Sequence, residues 1–403
     1  MISTQSKTNE SLHAGVRWSL VALLLLILLP LSAGADARDQ AMRIHDRLVG
    51  VPPDPTTLTT MTNLIAANGD AGAVAAAELA MDHPAFYNVS LKNFVTPWTN
   101  AEGSVYAELN DYTATVIGMI RDDVPFNEVL SADLVYVSNE AGLPGYSVSD
   151  NDHHRAIEDN RIDMSNTVTF VGMPQSTFHP QISPGPTGGA AGVVTTRAAA
   201  EAYFSAGTNR RMWRFTSMNY LCRDLEQLHD TSRPADRIRQ DVSRSPGGDS
   251  LLFHTQCVGC HAGMDPLAAA YAYYEWDENA GQMIYTPGLV QGKYLINANT
   301  FPGGYVSVDD GWRNFWRNGP NAAIGWTGSA DRGNGPASLG LEVTGSRGFA
   351  LCQVEKVFNN VCFRPPQTPA DATKIEDVAT IFETTGYRMK TVFAEVAAHC
   401  RGN

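Results

Sequence analysis

Two cysteines and a histidine lie within the run Cys257-Val258-Gly259-Cys260-His261 of this 403-residue chain. This C-x-x-C-H spacing is typical of the covalent attachment of a c-type haem. Two thiols about one helical turn apart add across the two vinyl groups of a porphyrin, and the adjacent imidazole becomes an axial ligand of the iron. We therefore predict one covalently attached haem c on Cys257 and Cys260, with His261 as the proximal iron ligand.

Zinc sites and redox-active cysteine pairs use a similar spacing of cysteines. A zinc site would require a second pair of Cys or His residues at ligand spacing, and none follows in the sequence. A thioredoxin-like redox pair would follow a strand in a βαβ unit, and the surrounding residues do not have that pattern. The sequence therefore favours haem attachment.

The N-terminus has the layout of a secretory signal peptide, predicted over residues 1–35. Lys7 and Arg17 precede an apolar run over residues 18–32, and Ala33-Gly34-Ala35 is an A-x-A cleavage site. An uncleaved anchor is the alternative, but the run is shorter than the roughly 20 residues that span a bilayer. Haem c is attached outside the cytoplasmic membrane in bacteria. We therefore expect a periplasmic or exported protein of a Gram-negative bacterium, with no integral membrane span after cleavage.

The acidic composition restricts the partners. The formal net charge is −13, which argues against nucleic acid or anionic lipid as the main partner. It favours a soluble protein or one that meets a basic redox partner. The chain is long enough for two or three modest domains.

Four cysteines lie outside the motif: Cys222, Cys352, Cys362 and Cys400. An even number in an exported protein predicts two disulfides, with three possible connectivities. Cys352 and Cys362 are predicted to share one helix, about 15 Å apart and too far to bridge. We favour a disulfide between Cys400 and either Cys362 or Cys352. Free buried thiols are the alternative.

Hydrophobic periodicity predicts a mainly α fold: a multi-helix protein with a cytochrome c-like haem segment, long loops and a small C-terminal helical domain. The predicted domains are an N-terminal helical domain (36–180), a haem-binding domain (193–300), and a loop-rich segment with the C-terminal helical domain (301–403). The predicted helices include 105–119, 196–228 (interrupted near Gly207), 349–363, 371–385 and 391–399. Residues 150–164 are predicted to form a polar loop.

The segment Cys257 to Leu267 reads Cys-Val-Gly-Cys-His-Ala-Gly-Met-Asp-Pro-Leu. It resembles the haem segment of the planctomycete-type cytochrome c proteins, exported bacterial proteins in which C-x-x-C-H precedes a Met-Asp-Pro turn and an aromatic helix. Residues 121–126 with 130–133 and Val137, residues 192–197, and residues 349–363 with 382–396 are also similar to parts of that group. The chain lacks the additional N-terminal C-x-x-C-H of many members. The resemblance implies haem binding and electron transfer, and it implies no substrate.

The second axial ligand of the iron stays open. Met283, 22 residues downstream of His261, is the candidate. Met264 lies on the proximal side, and its neighbours Asp265 and Pro266 predict a structural turn. A methionine opposite the histidine would suit electron transfer, whereas an open position would permit peroxide or oxygen chemistry.

Two further clusters of charged residues are candidates for binding the haem propionates or a metal ion. Arg233, Arg237, Arg239 and Arg244 precede the motif and are either partners of the haem propionates or a solvated face. Residues 150–158 contain three acidic side chains and two adjacent histidines, which predict either a metal site or an ordinary polar loop.

The leading hypothesis is an electron-transfer cytochrome. A haem enzyme of peroxidase or oxidase type and a haem-bearing subunit of a larger exported complex are the alternatives. No catalytic residue is identified, so whether the chain is an enzyme stays open.

Overall fold

The computed structural model describes residues 35–185, 187–205, 207–328 and 330–402. The predicted signal peptide lies outside the described residues, apart from Ala35. Helices dominate and strands are few, which confirms the mainly α class.

The α-helices of four or more residues follow one another along the chain. They are α1 Ala37–Val49, α2 Pro55–Ala80, α3 Lys92–Val95, α4 Asp111–Arg121, α5 Asp152–Asp159, α6 Arg197–Tyr203, α7 Arg210–Leu221, α8 Val258–Ala268, α9 Gly335–Thr344, α10 Arg347–Cys362, α11 Pro369–Thr384 and α12 Met389–His399.

The strands form three antiparallel pairs. Strand β1 (Val135–Ser138) pairs with β2 (Phe170–Met173), and β3 (Tyr274–Asp277) pairs with β4 (Gln282–Tyr285). Strand β5 (Gly311–Arg313) pairs with β6 (Arg332–Asn334).

The first and last parts of the chain pack together. Helix α2 begins with Pro55 behind the N-cap Asp54, whose carboxylate accepts hydrogen bonds from the first turn. Helix α12 packs against α2 and α1, and α10 and α11 pack against α12. One hydrophobic core extends from Ala41 to Ala398. The division into three domains stays a prediction, and the described packing joins all three parts.

Several local predictions were wrong. Residues 152–159 form helix α5 within the predicted polar loop, and its residues His153, His154 and Ile157 are buried. The helix predicted from Val105 begins at Asp111, where the Asn110 side chain caps it. Asp265 and Pro266 lie inside α8 rather than in a turn, and β3 replaces the aromatic helix that the resemblance implied.

The four outer cysteines form two disulfides. Cys362 is bonded to Cys400, with 5.5 Å between their Cα atoms, and Cys222 is bonded to Cys352 at 5.3 Å. The first pair confirms one of the two expected partners of Cys400. Cys352 and Cys362 do share helix α10, as predicted.

Among the described residues, none of the helices has both the length and the apolar character that crossing a bilayer requires.

Candidate functional site

The C-x-x-C-H motif lies at the start of helix α8. The π-helical segment Phe253–Cys257 continues directly into the helix. Since successive residues of a helix are about 100° apart, Cys257, Cys260 and His261 share one face. Both thiols are half-buried and free, although the other four cysteines are paired.

The two thiols have different surroundings. Cys257 packs against a small apolar cluster formed by Ile238, Val242, Phe253, Val258 and Ala262. The Cys260 sulfur lies 3.5 Å from the carbonyl oxygen of Leu225. Burial, and then the nearby carboxylate of Glu226, raises the pKa of the Cys260 thiol. A raised pKa is the opposite of what an activated redox cysteine requires.

The opposite face of α8 is held by close packing at two glycines. A Cβ on Gly259 would lie 2.3 Å from the ring of His229, and one on Gly263 would lie 2.1 Å from the buried ring of Trp316. The glycine inside the motif therefore lets the chain pass close behind the helix, away from the two thiols.

His261 is oriented by a carboxylate one helical turn away. Its Nδ1 lies 3.0 Å from Oδ1 of Asp265, whose side chain is fully buried. An ionised carboxylate can only accept, so Nδ1 carries the proton and the lone pair of Nε2 is left for a metal. A metal-binding histidine is typically held in this way.

Asp265 is the centre of a buried ionic network. Arg210 donates to both of its oxygens, from Nε at 2.6 Å and from Nη2 at 2.8 Å, and the backbone N–H of Arg239 donates to Oδ2 at 3.1 Å. Arg210 also pairs with Asp241. Burial alone would raise the pKa of the Asp265 carboxyl, but the charge of Arg210 and the hydrogen bond with His261 outweigh it and hold that pKa well below its usual range.

Met283 lies in a different environment. It is 2 % exposed, pairs with Trp276 across β3 and β4, and its carbonyl oxygen accepts from Nε2 of His179 at 3.0 Å. It lines a small cavity with residues that include Tyr146 and Arg197, and none of the lining residues belongs to the motif. The contacts described for Met283 do not bring it together with His261, and its role as a ligand stays a prediction.

The four arginines before the motif are mostly engaged. Arg233 forms an ion pair with Asp230 at 2.9 Å, and Arg237 and Arg244 lie against aromatic rings. Arg239 is 2 % exposed, and its Nε and Nη1 atoms have no hydrogen-bond partner among the described residues. The solvated-face interpretation therefore does not hold for Arg239.

The acidic and histidine cluster of residues 150–158 has structural partners. His153 Nδ1 lies 2.7 Å from the Pro144 carbonyl oxygen, and His154 Nε2 lies 3.0 Å from that of Tyr136. Burial lowers the pKa of His154 to about 4, so the ring is neutral. Within the described ranges, no group of three or more potential ligands could hold a metal ion.

Sequence reasoning identified the motif and missed its supporting network. Asp265 follows His261 by four residues, the spacing at which helical side chains meet, and this signal was available in the sequence. Arg210 and Asp241 lie far from it along the chain, and no local pattern identifies them.

The donor set fits a c-type haem. Two free thiols and an imidazole with an available nitrogen lie on one helix face, and the imidazole has the carboxylate partner expected of a metal ligand. In comparisons with known proteins, the chain matches no family model, no curated protein and no solved structure. The resemblance to the planctomycete-type cytochrome c proteins therefore stays a prediction.

Proposed function

We propose that this chain is an exported c-type cytochrome that carries one covalent haem and transfers electrons. The proposal depends on one arrangement: Cys257, Cys260 and His261 share one helix face at the start of α8, and Nδ1 of His261 lies 3.0 Å from the buried carboxylate of Asp265. Each thiol would add across one vinyl group: the S–H bond and the π bond of the vinyl group would break, the sulfur would bond to one vinyl carbon, and the hydrogen would go to the other. When bound, the haem would supply one-electron redox chemistry.

The position of the site supports electron transfer. The His261 side chain is 23 % exposed and both thiols are half-buried, so the motif lies near the protein surface. Exposed Glu226 lies close enough to affect the Cys260 thiol. A local negative charge on an acidic protein favours a basic redox partner.

The two disulfides support an oxidising compartment, such as the periplasm. In that compartment a free C-x-x-C pair would be exposed to oxidation. Thioether bonds would protect both sulfurs from it.

Haem staining after denaturing electrophoresis tests the covalent link. The full chain, exported by a bacterium with a cytochrome c maturation system, should keep its pigment in the denatured band, and its mass should increase by one haem. The Cys257→Ala/Cys260→Ala variant should lose both. The matched control is Cys222→Ala/Cys352→Ala, which also removes two sulfurs but should keep the haem. Colourless protein, or pigment that acidified acetone extracts, would refute the proposal.

Visible spectra separate electron transfer from a haem enzyme. A low-spin spectrum that carbon monoxide and peroxide leave unchanged is expected for an electron-transfer protein. A high-spin spectrum that shifts with either ligand would favour a peroxidase or oxidase. The same spectra of Met283→Ala test the proposed second ligand, which fails if the spectrum is unchanged.

A further inference from the structure

A buried carboxylate directly behind a metal-binding imidazole influences more than its orientation. The Asp265 side chain is fully buried, and among the described residues its carboxylate contacts the guanidinium of Arg210 and the imidazole of His261. Burying an ion is costly even when it is paired, and apolar residues of similar volume often stabilise a fold as well or better. Stability alone therefore gives little reason for a charge at this position.

We propose that Asp265 sets a low reduction potential at the haem site by hydrogen bonding to His261. This inference rests on the haem attachment proposed above. Asp265 is a positioning residue, because it acts on the iron only through the imidazole.

The direction of the change in reduction potential follows from the charge on the iron. A carboxylate that accepts the Nδ1–H of a histidine increases the electron donation from Nε2. Ferric iron carries one more positive charge than ferrous iron, so the stronger donor stabilises the ferric state and lowers the potential. Hydrogen bonding around the axial ligand is one of the means by which proteins tune haem potentials.

Arg210 limits how far Asp265 lowers the reduction potential, and it keeps the Asp265 carboxylate in a fixed position. Its two parallel hydrogen bonds hold Asp265 in one orientation and share part of its negative charge. Asp241 in turn accepts from Nη2 of Arg210 at 2.9 Å, so the guanidinium is divided between two carboxylates. The network contains a close internal control, since Asp241 contacts Arg210 but has no described hydrogen bond with His261.

The test is a redox titration of holoprotein carrying Asp265→Asn, with Asp241→Asn as the matched control. Both changes remove one negative charge from the same network. Asp265→Asn should weaken the preference for ferric iron about tenfold, which raises the midpoint potential by about 59 mV for one electron. Asp241→Asn should raise it by less than half as much. An unchanged or lower potential in Asp265→Asn, or equal shifts in both variants, would overturn the inference.

A second measurement covers the possibility that Asp265→Asn fails to fold, because its amide N–H groups would face the donors of Arg210. In unaltered holoprotein with ¹⁵N-labelled histidine, NMR of a diamagnetic ferrous form reports the Nδ1 proton of His261. A strongly downfield, slowly exchanging proton supports a carboxylate partner, and a proton in rapid exchange with water overturns it. Haem staining of each denatured sample separates these results from failure of the proposed function, which would appear as missing pigment in the unaltered chain.

Discussion

The two disulfides close loops of different length, and this difference predicts how much each stabilises the fold. The Cys222–Cys352 bond joins residues 130 positions apart, and the Cys362–Cys400 bond joins residues 38 apart. Loop-closure entropy in the unfolded chain gives about 5 kcal/mol for the first bond and about 4 kcal/mol for the second. The Cys222→Ala/Cys352→Ala variant should therefore lose about 1 kcal/mol more unfolding free energy than Cys362→Ala/Cys400→Ala.

The two double-cysteine variants should lose similar packing contacts. Each pair consists of one buried cysteine, Cys352 at 2 % or Cys362 at 4 % exposure, and one half-buried cysteine. Replacing two sulfurs therefore removes a similar contact area in both variants, and this loss largely cancels in the difference. The two loops do not overlap along the chain, so their effects should add in a variant that lacks all four cysteines.

Equilibrium denaturation in guanidinium chloride, followed by far-UV circular dichroism and by tryptophan fluorescence, measures both free energies. The two signals must give coincident transitions, because the free energies are defined only for two-state unfolding. The haem content of the samples should be equal, which staining of denatured protein checks. If Cys362→Ala/Cys400→Ala lost as much unfolding free energy as Cys222→Ala/Cys352→Ala, or more, the loop-entropy reasoning would be refuted.

Three other changes test the packing of α8 and the acid stability of the C-terminal helices. Gly263→Ala should destabilise the fold by about 1–3 kcal/mol, because its Cβ would lie 2.1 Å from the fully buried ring of Trp316. Gly259→Ala should lose less stability and keep its haem, because the added Cβ would meet the ring of His229, which is exposed and can move. Equal losses of melting temperature in the two glycine variants would contradict this. The guanidinium of Arg364, despite the opposing effect of burial, holds the pKa of Asp371 below its usual range. A carboxyl group whose pKa is lower in the folded protein stabilises the fold above its unfolded pKa of about 3.9, and this stability is lost as the pH falls. The melting temperature of Asp371→Asn should therefore fall less steeply below about pH 4 than that of the unaltered protein. An equally steep fall in both proteins would contradict this.

The fold was predictable where one periodic pattern decides the structure. Helices α10, α11 and α12 lie within a few residues of their predicted bounds, and the interruption near Gly207 separates α6 from α7. Helix α5 was not predictable from its polar composition. Its buried residues His153, His154 and Ile157 do lie at helical spacing, but histidines are usually counted as polar, and these two are buried because their rings hydrogen-bond to the backbone carbonyl groups of residues 144 and 136.

The sequence of the hairpin after the motif contains the alternating pattern of a strand, although its many aromatic residues make the pattern less obvious. Tyr274 and Trp276 alternate with Glu275 and Asp277, and only the aromatic pair is buried. This period of two is typical of a strand with one buried face. Gly281, with a φ of 65°, then supplies the left-handed conformation that the tight connection to β4 requires.

Helix α7 connects the motif to the C-terminal helices. Its first residue, Arg210, binds Asp265 in α8, and Cys222, directly after its last residue, is bonded to Cys352 in α10. The two attachments are about 18 Å apart, given a rise of about 1.5 Å per residue. A binding site keeps its geometry when its supporting side chains are themselves held by rigid elements. The Asp265 carboxylate meets this condition, because the arginine that fixes it belongs to a helix anchored at both ends.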